Sequence, residues 1–394
     1  MASISTRVAT EDDFDAVVRF DGQLFGDVWT EEQRIAIRPL LELDRFHLAH
    51  DGDALVGVAG LFSQELTVPG GATVGAGGVT WVAVAPTHRR QGVLRTLMDD
   101  VHADVDARGE PIAILTASEG GIYERFGYGV ATHCRLVEME RRRVQLRPEF
   151  QPPPGTVAMT TGDDPRLFEL FDRYRRGRVG EIDRTPASFT SAVVLNGPGA
   201  SVAIHEDGFA VWKLTPKWNG GHPAHEMRVL DVVANTPEAY RALWNTVLSA
   251  DLVGTITSHR QLALDDELPY LLTDPRAVRT TDLNDMLWVH LRDVRRSLAA
   301  RTYATIDELV VGVDVGDKIE RWQVAGSPEG ADVRRARRRP DLSTDRASLG
   351  AMYLGGVRPS TLARAGRVVA DADVLRRADA FFAADRLPHC STSF

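Results

Sequence analysis

The segment that most constrains the fold is "WVAVAPTHRRQGVLRTLMDDV", residues 81–101, in which an apolar run meets a cationic turn that contains glycine. The apolar run predicts a buried strand, and the amphipathic pattern after it predicts a helix over about residues 91–106. A strand that enters a helix through a glycine turn presents free backbone N–H groups, which bind phosphate well. Gly92 lets the backbone approach a ligand, and Arg89 and Arg90, with Arg95 as a further candidate, are good donors to phosphate oxygens. On residue type alone, a solvated loop explains these arginines equally well.

The elements around this turn predict an α/β unit. "ISTRVA" has the pattern of a short strand, and "TEDDFDAVVRFDGQLF" that of a helix with Thr10 as its N-cap. A hairpin about Asp51-Gly52-Asp53 follows, then a strand over "GATVGAGGVTWVAVAP", the helix after the turn, and the strand "PIAILTAS". The predicted order is β–α–β–β–β–α–β, and its last crossover is expected to be parallel and right-handed.

Two further segments follow this unit. The Pro-rich stretch Arg147–Gly155 predicts a linker. The next segment repeats the order of elements of the first α/β unit: a hairpin on Glu206-Asp207-Gly208, then a strand, a helix and a strand. The turn before its helix lacks the arginines and the glycine found at residues 89–92. From about Val294, alternating strands precede short amphipathic helices, which is an α+β arrangement. The expected domain boundaries are 1–150, 156–291 and 292–394.

Composition narrows the classes of function. The chain has 394 residues, 43% hydrophobic and 26% charged, with a net charge of −9, which disfavours nucleic acid and suits cationic substrates. Cys134 and Cys390 are too few and too isolated for a disulfide framework or a metal site, so we expect a cytoplasmic protein without a metal. We also expect no signal peptide and no membrane span. The basic run over residues 334–339 predicts a solvated strand edge.

Two motifs carry a family resemblance. "Arg89-x-x-Gly92-x-Leu94" after "VAVAP" resembles the acyl-CoA pyrophosphate loop of the GCN5-related N-acetyltransferases (GNAT), although Leu94 replaces a small residue. "TASEGGIYERFGYG", residues 116–129, together with "VAVAPTHRRQGVLR" closely resembles the Eis ("enhanced intracellular survival") family of bacterial N-acetyltransferases, which tolerates leucine there. The resemblance implies α/β plus α+β architecture: two GNAT-like domains, the second degenerate, and a C-terminal sterol-carrier-protein-like domain.

The same resemblance implies an activity and a site. An Eis-like enzyme uses acetyl-CoA to acetylate amines of polycationic compounds, such as aminoglycosides or lysine side chains, by direct attack in a ternary complex, and it assembles as a homohexamer. Tyr123 matches the family's general acid, and the terminal carboxylate of Phe394 matches its general base. The residues implied to bind the cofactor are Val82, Ala83, Val84, Arg90, Gln91, Gly92, Val93, Leu94, Arg95, Ser118 and Glu119.

Several of these residues also have a purely structural explanation. Without the resemblance, packing in an aromatic loop is the favoured explanation of Tyr123 and of its fallback Tyr128, and a frayed terminus is the ordinary explanation of Phe394. Asp27 matches a pocket-lining acid of the family. Phe25 and Trp29 are candidates for an apolar wall beside it, and Ser393 replaces an acidic residue of some relatives. A different class of function, a lipid or sterol carrier with a vestigial transferase, is the alternative hypothesis.

Overall fold

The computed structural model of the protein describes residues 4–189 and 199–394. Contacts divide the chain into two compact units. The first unit contains residues 1–131 and 287–385 together with Phe394, and the second contains residues 132–286 and 386–393. The limits of the three expected domains stay predictions, because this partition into units does not test them.

The described residues from Ile4 to Ala131 form six strands and three α-helices. The strands are β1 (Ile4–Val8), β2 (His47–Asp51), β3 (Ala54–Thr67), β4 (Thr73–Val84), β5 (Ile112–Thr116) and β6 (Gly129–Val130). The helices are α1 (Phe14–Phe25), α2 (Glu31–Ile37) and α3 (Val93–Ala107). Thr10 and Asp13 form a capping box on the short 3₁₀ turn that leads into α1, so the sequence signal at Thr10 marks the start of this helical segment.

The second unit follows in the chain. Its strands are β7 (His133–Glu140), β8 (Ala158–Thr160), β9 (Ala200–His205), β10 (Gly208–Thr215), β11 (Trp218–Asn219), β12 (His222–Pro223), β13 (His225–Ala234), β14 (Val253–Leu262) and β15 (Arg279–Asp285). Its helices are α4 (Arg166–Arg176), α5 (Pro237–Leu248) and α6 (Leu268–Leu271).

The remaining elements return to the first unit. The strands are β16 (Leu287–Leu291), β17 (Asp307–Asp314), β18 (Ile319–Ser327), β19 (Gly330–Arg335), β20 (Leu342–Asp345) and β21 (Val368–Ala370). The helices are α7 (Val294–Ala300), α8 (Arg346–Tyr353), α9 (Pro359–Arg364) and α10 (Ala372–Phe382).

The first sheet has the strand order β1-β2-β3-β4-β5-β16-β6, and only β4 and β5 are parallel. Helix α3 forms their crossover, because its apolar positions recur at helical spacing and bury Val93, Leu97 and Val101 against the sheet. The parallel crossover is therefore confirmed, and so is the predicted order apart from α2, a second helix before β2 that was not predicted. The position of β16 between β5 and β6 was not predicted.

The second sheet repeats this plan, with the order β15-β7-β14-β13-β10-β9-β8 and one parallel pair, β13 and β14. Helix α5 connects that pair, and Thr236 caps it by accepting from the backbone N–H of Ala239. The predicted hairpin, strand, helix and strand are all present. Strand β7 lies in this sheet, although it precedes the Pro-rich stretch.

The third sheet has the order β19-β18-β17-β20-β21, and α8, α9 and α10 lie between or after its last strands in the chain. The predicted sequence of antiparallel strands followed by short helices is confirmed. Strand β19 is at one edge of this sheet and carries the exposed Arg334 and Arg335. This agrees with the prediction that the basic run forms a strand edge in contact with solvent. Among the described residues, no helix is both long and apolar enough to cross a membrane.

Candidate active site

The site begins where β4 and β5 part. Their parallel ladder runs only from Ala76 to Val79 on β4, so the last residues of β4 have no partner on β5. On the other side, the pairing of β3 with β4 shifts register near Val58, and Trp81 takes a left-handed backbone conformation with φ 51°. This irregularity turns β4 away from β5 and leaves main-chain groups of residues 82–84 available to a ligand.

The turn between β4 and α3 presents donors at the same end of the sheet. Arg90 and Gly92 are both left-handed, with φ 62° and 89°, and Gly92 is the N-cap of α3. The first intrahelical bond of α3 runs from the N–H of Thr96 to the carbonyl of Gly92. The N–H groups before it, at residues 93–95, therefore belong to the open helix start, which favours an anion.

These groups line one cleft of about 800 Å³ in the first unit. Four arginines on its wall make it strongly cationic: Arg89, Arg90, Arg95 and Arg125. The cofactor-binding residues expected from the sequence that line it are Val82, Ala83, Val84, Arg90, Gly92, Val93, Leu94, Arg95, Ser118 and Glu119. Its size, its cations and the open helix start fit a diphosphate-bearing ligand such as coenzyme A.

Tyr123 also lines this cleft, although the residue is only 8% exposed. Burial, with a smaller contribution from the charge of Glu119, raises the pKa of Tyr123 to about 12. The phenol therefore keeps its proton at neutral pH and can donate it. Tyr128, the fallback candidate, is fully buried, does not line the cleft, and shares a hydrogen bond of 3.0 Å with His102 Nε2.

Phe394 lies in the first unit beside the parting strands. The Thr116 hydroxyl, at the end of β5, donates to a terminal oxygen of Phe394 over 3.5 Å. The ring of Phe394 lies against Gly78 of β4, where an added Cβ would come 3.0 Å from Cε2. The last residue thus contacts both strands of the parallel pair. A frayed terminus would make no such contacts.

Comparisons with known proteins agree with this geometry. Residues 5–131 and 180–295 each match a family described as "Acetyltransferase (GNAT) domain", and residues 294–391 match "Sterol carrier protein domain". The chain is 33% identical over 406 residues to "N-acetyltransferase Eis" of Mycobacterium tuberculosis, covering 95% of this chain and 96% of that one. The chain belongs to the Eis family of GNAT N-acetyltransferases.

Other Eis-like relatives match over similar lengths. An "Uncharacterized N-acetyltransferase" of Streptomyces avermitilis is 36% identical over 393 residues, 92% of each chain. The crystal structure of Eis1 from Mycobacterium abscessus superposes with a TM-score of 0.88 at 33% identity, covering 100% of both chains. The architecture expected from the sequence, two GNAT domains and a C-terminal sterol-carrier-like domain, is therefore confirmed, and GNAT acetyltransferases use acetyl-CoA.

Four residues expected at the site of this Eis-family chain lie outside the cleft lining: Gln91, Asp27, Trp29 and Phe394. The Gln91 side chain donates to the carbonyl of Thr87 at 3.0 Å. Asp27 is exposed after the end of α1, and Trp29 stacks on Trp81 with ring centroids 5.7 Å apart. Phe25, by contrast, does line the cleft.

The sequence interpretation missed other lining residues. His88, Ile122, Arg125 and Phe126 are all on the cleft wall. The last three lie inside "TASEGGIYERFGYG", so the motif itself was the signal, but the residue types alone do not show which side chains face a ligand. His88 is held by Asp51 at 3.3 Å, a pairing between residues distant in sequence that no local pattern predicts.

The residues before Phe394 are also bonded, within the second unit. The fully buried carboxylate of Glu181 accepts from the N–H and hydroxyl of Ser391, both at 2.8 Å. Arg184 donates to the hydroxyls of Ser391 and Thr392 at 3.1 and 2.9 Å, and it pairs with Asp231. A buried carboxylate is tolerated only with such partners, so this network fixes the tail up to Thr392.

Proposed function

We propose that this Eis-family enzyme acetylates amines of polycationic compounds, aminoglycosides and lysine side chains among them, by direct attack in a ternary complex. The observation that carries the proposal is the cationic cleft at the parting of β4 and β5, with the protonated phenol of Tyr123 in its wall. Acetyl-CoA supplies the acetyl thioester that the amine attacks.

The residues of the cleft take separate roles in this proposal. Residues 82–84 offer main-chain groups for the pantetheine arm and thioester. Arg90, Gly92 and Arg95, with the helix start, hold the diphosphate through charge-assisted and main-chain hydrogen bonds. Tyr123 donates the proton that the departing thiolate requires.

The terminal carboxylate of Phe394 is proposed to accept the proton of the amine. An α-carboxyl group has an ordinary pKa of about 3.5, so it is a weak base for an ammonium in water. Its contacts with Thr116 and against Gly78, beside the parting strands, support this role, and in the proposal the proton passes through a bound water. The role rests mainly on the family resemblance.

The amine pocket is proposed to lie near the end of α1. Phe25 lines the cleft, Trp29 and Trp81 form a stacked pair, and Asp27 supplies an exposed carboxylate for a cationic substrate. By resemblance alone, Ser393 replaces an acidic residue of some relatives, so we expect weaker binding of the most highly charged amines. By resemblance we also propose a cytoplasmic homohexamer, which light scattering on the purified protein will test.

The test is thiol release from acetyl-CoA in the presence of an aminoglycoside, a lysine-containing peptide or a simple diamine, with mass spectrometry of the amine. We expect release that depends on the amine and a product that carries added acetyl groups. The match to a sterol carrier domain favours lipid carriage as the second candidate. No release with any amine, together with tight and saturable lipid binding, would establish that second function instead.

A further inference from the structure

The tail of the chain, residues 386–393, belongs to the second unit, and most of its residues are bonded there. The N–H of His389 donates to the carbonyl of Val179 at 2.9 Å. Closer to the end, the hydroxyl of Ser393 accepts from Arg260. Chain ends are poorly ordered unless they are tied down, so these bonds distinguish this tail from an ordinary terminus.

Glu181, in the loop after α4, makes the largest set of these bonds. Its fully buried carboxylate accepts from the N–H and the hydroxyl of Ser391, both at 2.8 Å, and from the N–H of Thr392 at 3.3 Å. The Cys390 thiol is a further, weak donor, with its sulfur 3.5 Å from the carboxylate. One side chain therefore binds three consecutive tail residues, and the last of them lies two positions before the end of the chain.

The carboxylate of Glu181 keeps its charge although it is buried. Burial alone would raise the pKa of Glu181, but the charge of Arg184 and the hydrogen bonds from the tail lower this pKa below its usual value. The carboxylate is therefore ionised at neutral pH. Buried ionic groups add little net stability compared with apolar side chains of the same volume, so stability alone does not account for this network.

The position of the terminal carboxylate depends on where this bonded tail ends. Phe394 follows Thr392 by two residues, and each residue adds only two soft backbone dihedrals. Phe394 itself makes few contacts, namely a 3.5 Å hydrogen bond from Thr116 and the packing of its ring against Gly78. A fixed Thr392 removes most of the conformations that would carry the carboxylate away from these contacts.

We propose that Glu181 is a positioning residue for the terminal carboxylate, because it binds residues 390–392 and so limits where the carboxylate of Phe394 can lie. The inference rests on the proposed function, in which that carboxylate accepts the proton of the amine. Glu181 touches neither substrate nor cofactor in this proposal. Its loss should therefore slow the chemical step and leave the binding of coenzyme A unchanged.

The test compares Glu181→Gln with the wild type as full-length proteins. An amide nitrogen then replaces one carboxylate oxygen, so a donor faces the N–H and hydroxyl donors of the tail. We expect carboxypeptidase to release Phe394 at least about tenfold faster from the folded variant, as followed by mass spectrometry. We also expect kcat for amine-dependent thiol release to fall about tenfold, with an unchanged affinity for coenzyme A by calorimetry.

Glu267→Gln is the matched control. It makes the same replacement at a partly exposed carboxylate, which pairs with Arg386 of the same tail at 3.1 Å, eight residues before the end of the chain. We expect wild-type values for both the release of Phe394 and kcat. If Glu181→Gln does not fold, Ser391→Ala replaces it, because it removes one donor to Glu181, and the expected effect on each measurement is then about fivefold.

Three outcomes in a folded variant would overturn the proposal: no change in either measurement, faster release of Phe394 at wild-type kcat, and a lower kcat without faster release. The proposed base has its own test, a chain extended by one residue after Phe394. Full activity of the extended chain refutes the base itself. An inactive extended chain together with an unaltered Glu181→Gln refutes only the positioning role.

Discussion

A side chain at position 78 should displace the proposed base without touching any other part of the proposed chemistry. Gly78 lies on β4 beneath the ring of Phe394, where a Cβ would come 3.0 Å from Cε2. Ordinary contacts lie at 3.4–4 Å, so alanine forces the ring back by a few tenths of an ångström. Valine adds methyl groups on the same side and forces a larger displacement, on the order of 1 Å.

A displacement of about 1 Å in a catalytic group costs roughly a hundredfold in rate. We therefore expect kcat to fall about tenfold in Gly78→Ala and about a hundredfold in Gly78→Val, with little change in affinity for coenzyme A. The assay is amine-dependent thiol release, with thermal unfolding to establish that each variant is folded. Gly75→Ala is the matched control on the same strand, because its Cβ would meet only Glu110 Cγ at 4.0 Å. A folded Gly78→Val with wild-type kcat would refute a role for Phe394 at this position.

Three further predictions concern single groups. Tyr123→Phe should lower kcat by roughly 100- to 10,000-fold while calorimetry shows unchanged coenzyme A binding, and an unaltered kcat would remove Tyr123 from the mechanism. One residue appended after Phe394 converts its carboxylate to an amide and should abolish turnover in folded protein, so full activity of the extended enzyme contradicts the proposed base. Burial, and then the charge of Asp27, raises the pKa of the Asp21 carboxyl to about 6, so the folded state holds this proton more tightly than the unfolded state does. Stability is then lost as the pH rises from about 4 to about 6, and Asp21→Asn should stabilise the protein by about 2 kcal/mol at neutral pH and by nothing near pH 3, allowing for solvent screening. Denaturant unfolding at both pH values measures this difference, and an equal effect at the two pH values would contradict it.

The sequence predicts the first unit well because its signals are local. The strand, turn and helix around Gly92 follow from an apolar run, a glycine and helical spacing in about twenty consecutive residues. The same holds for the hairpin about Gly52, and for α5, where Thr236 and Pro237 mark the helix start. Each of these elements is determined by residues that are neighbours in the chain.

Other features depend on partners that are distant in sequence. Strand β16 joins the first sheet beside β5, although about 170 residues separate them in the chain, and no local pattern specifies that pairing. Glu181 lies in a polar stretch whose sequence gives no sign that it holds Ser391. The tail network therefore becomes visible only in the folded chain.

The central claim is that the turn before α3 and the arginines around it hold the diphosphate of coenzyme A in the cleft that Tyr123 lines. The most direct measurement is a calorimetric titration of coenzyme A into the purified wild-type protein, repeated with Arg90→Gln. The account predicts one saturable site per chain and an affinity that falls about tenfold in the variant. No saturable heat with the folded wild type, or an identical affinity in Arg90→Gln, would contradict it.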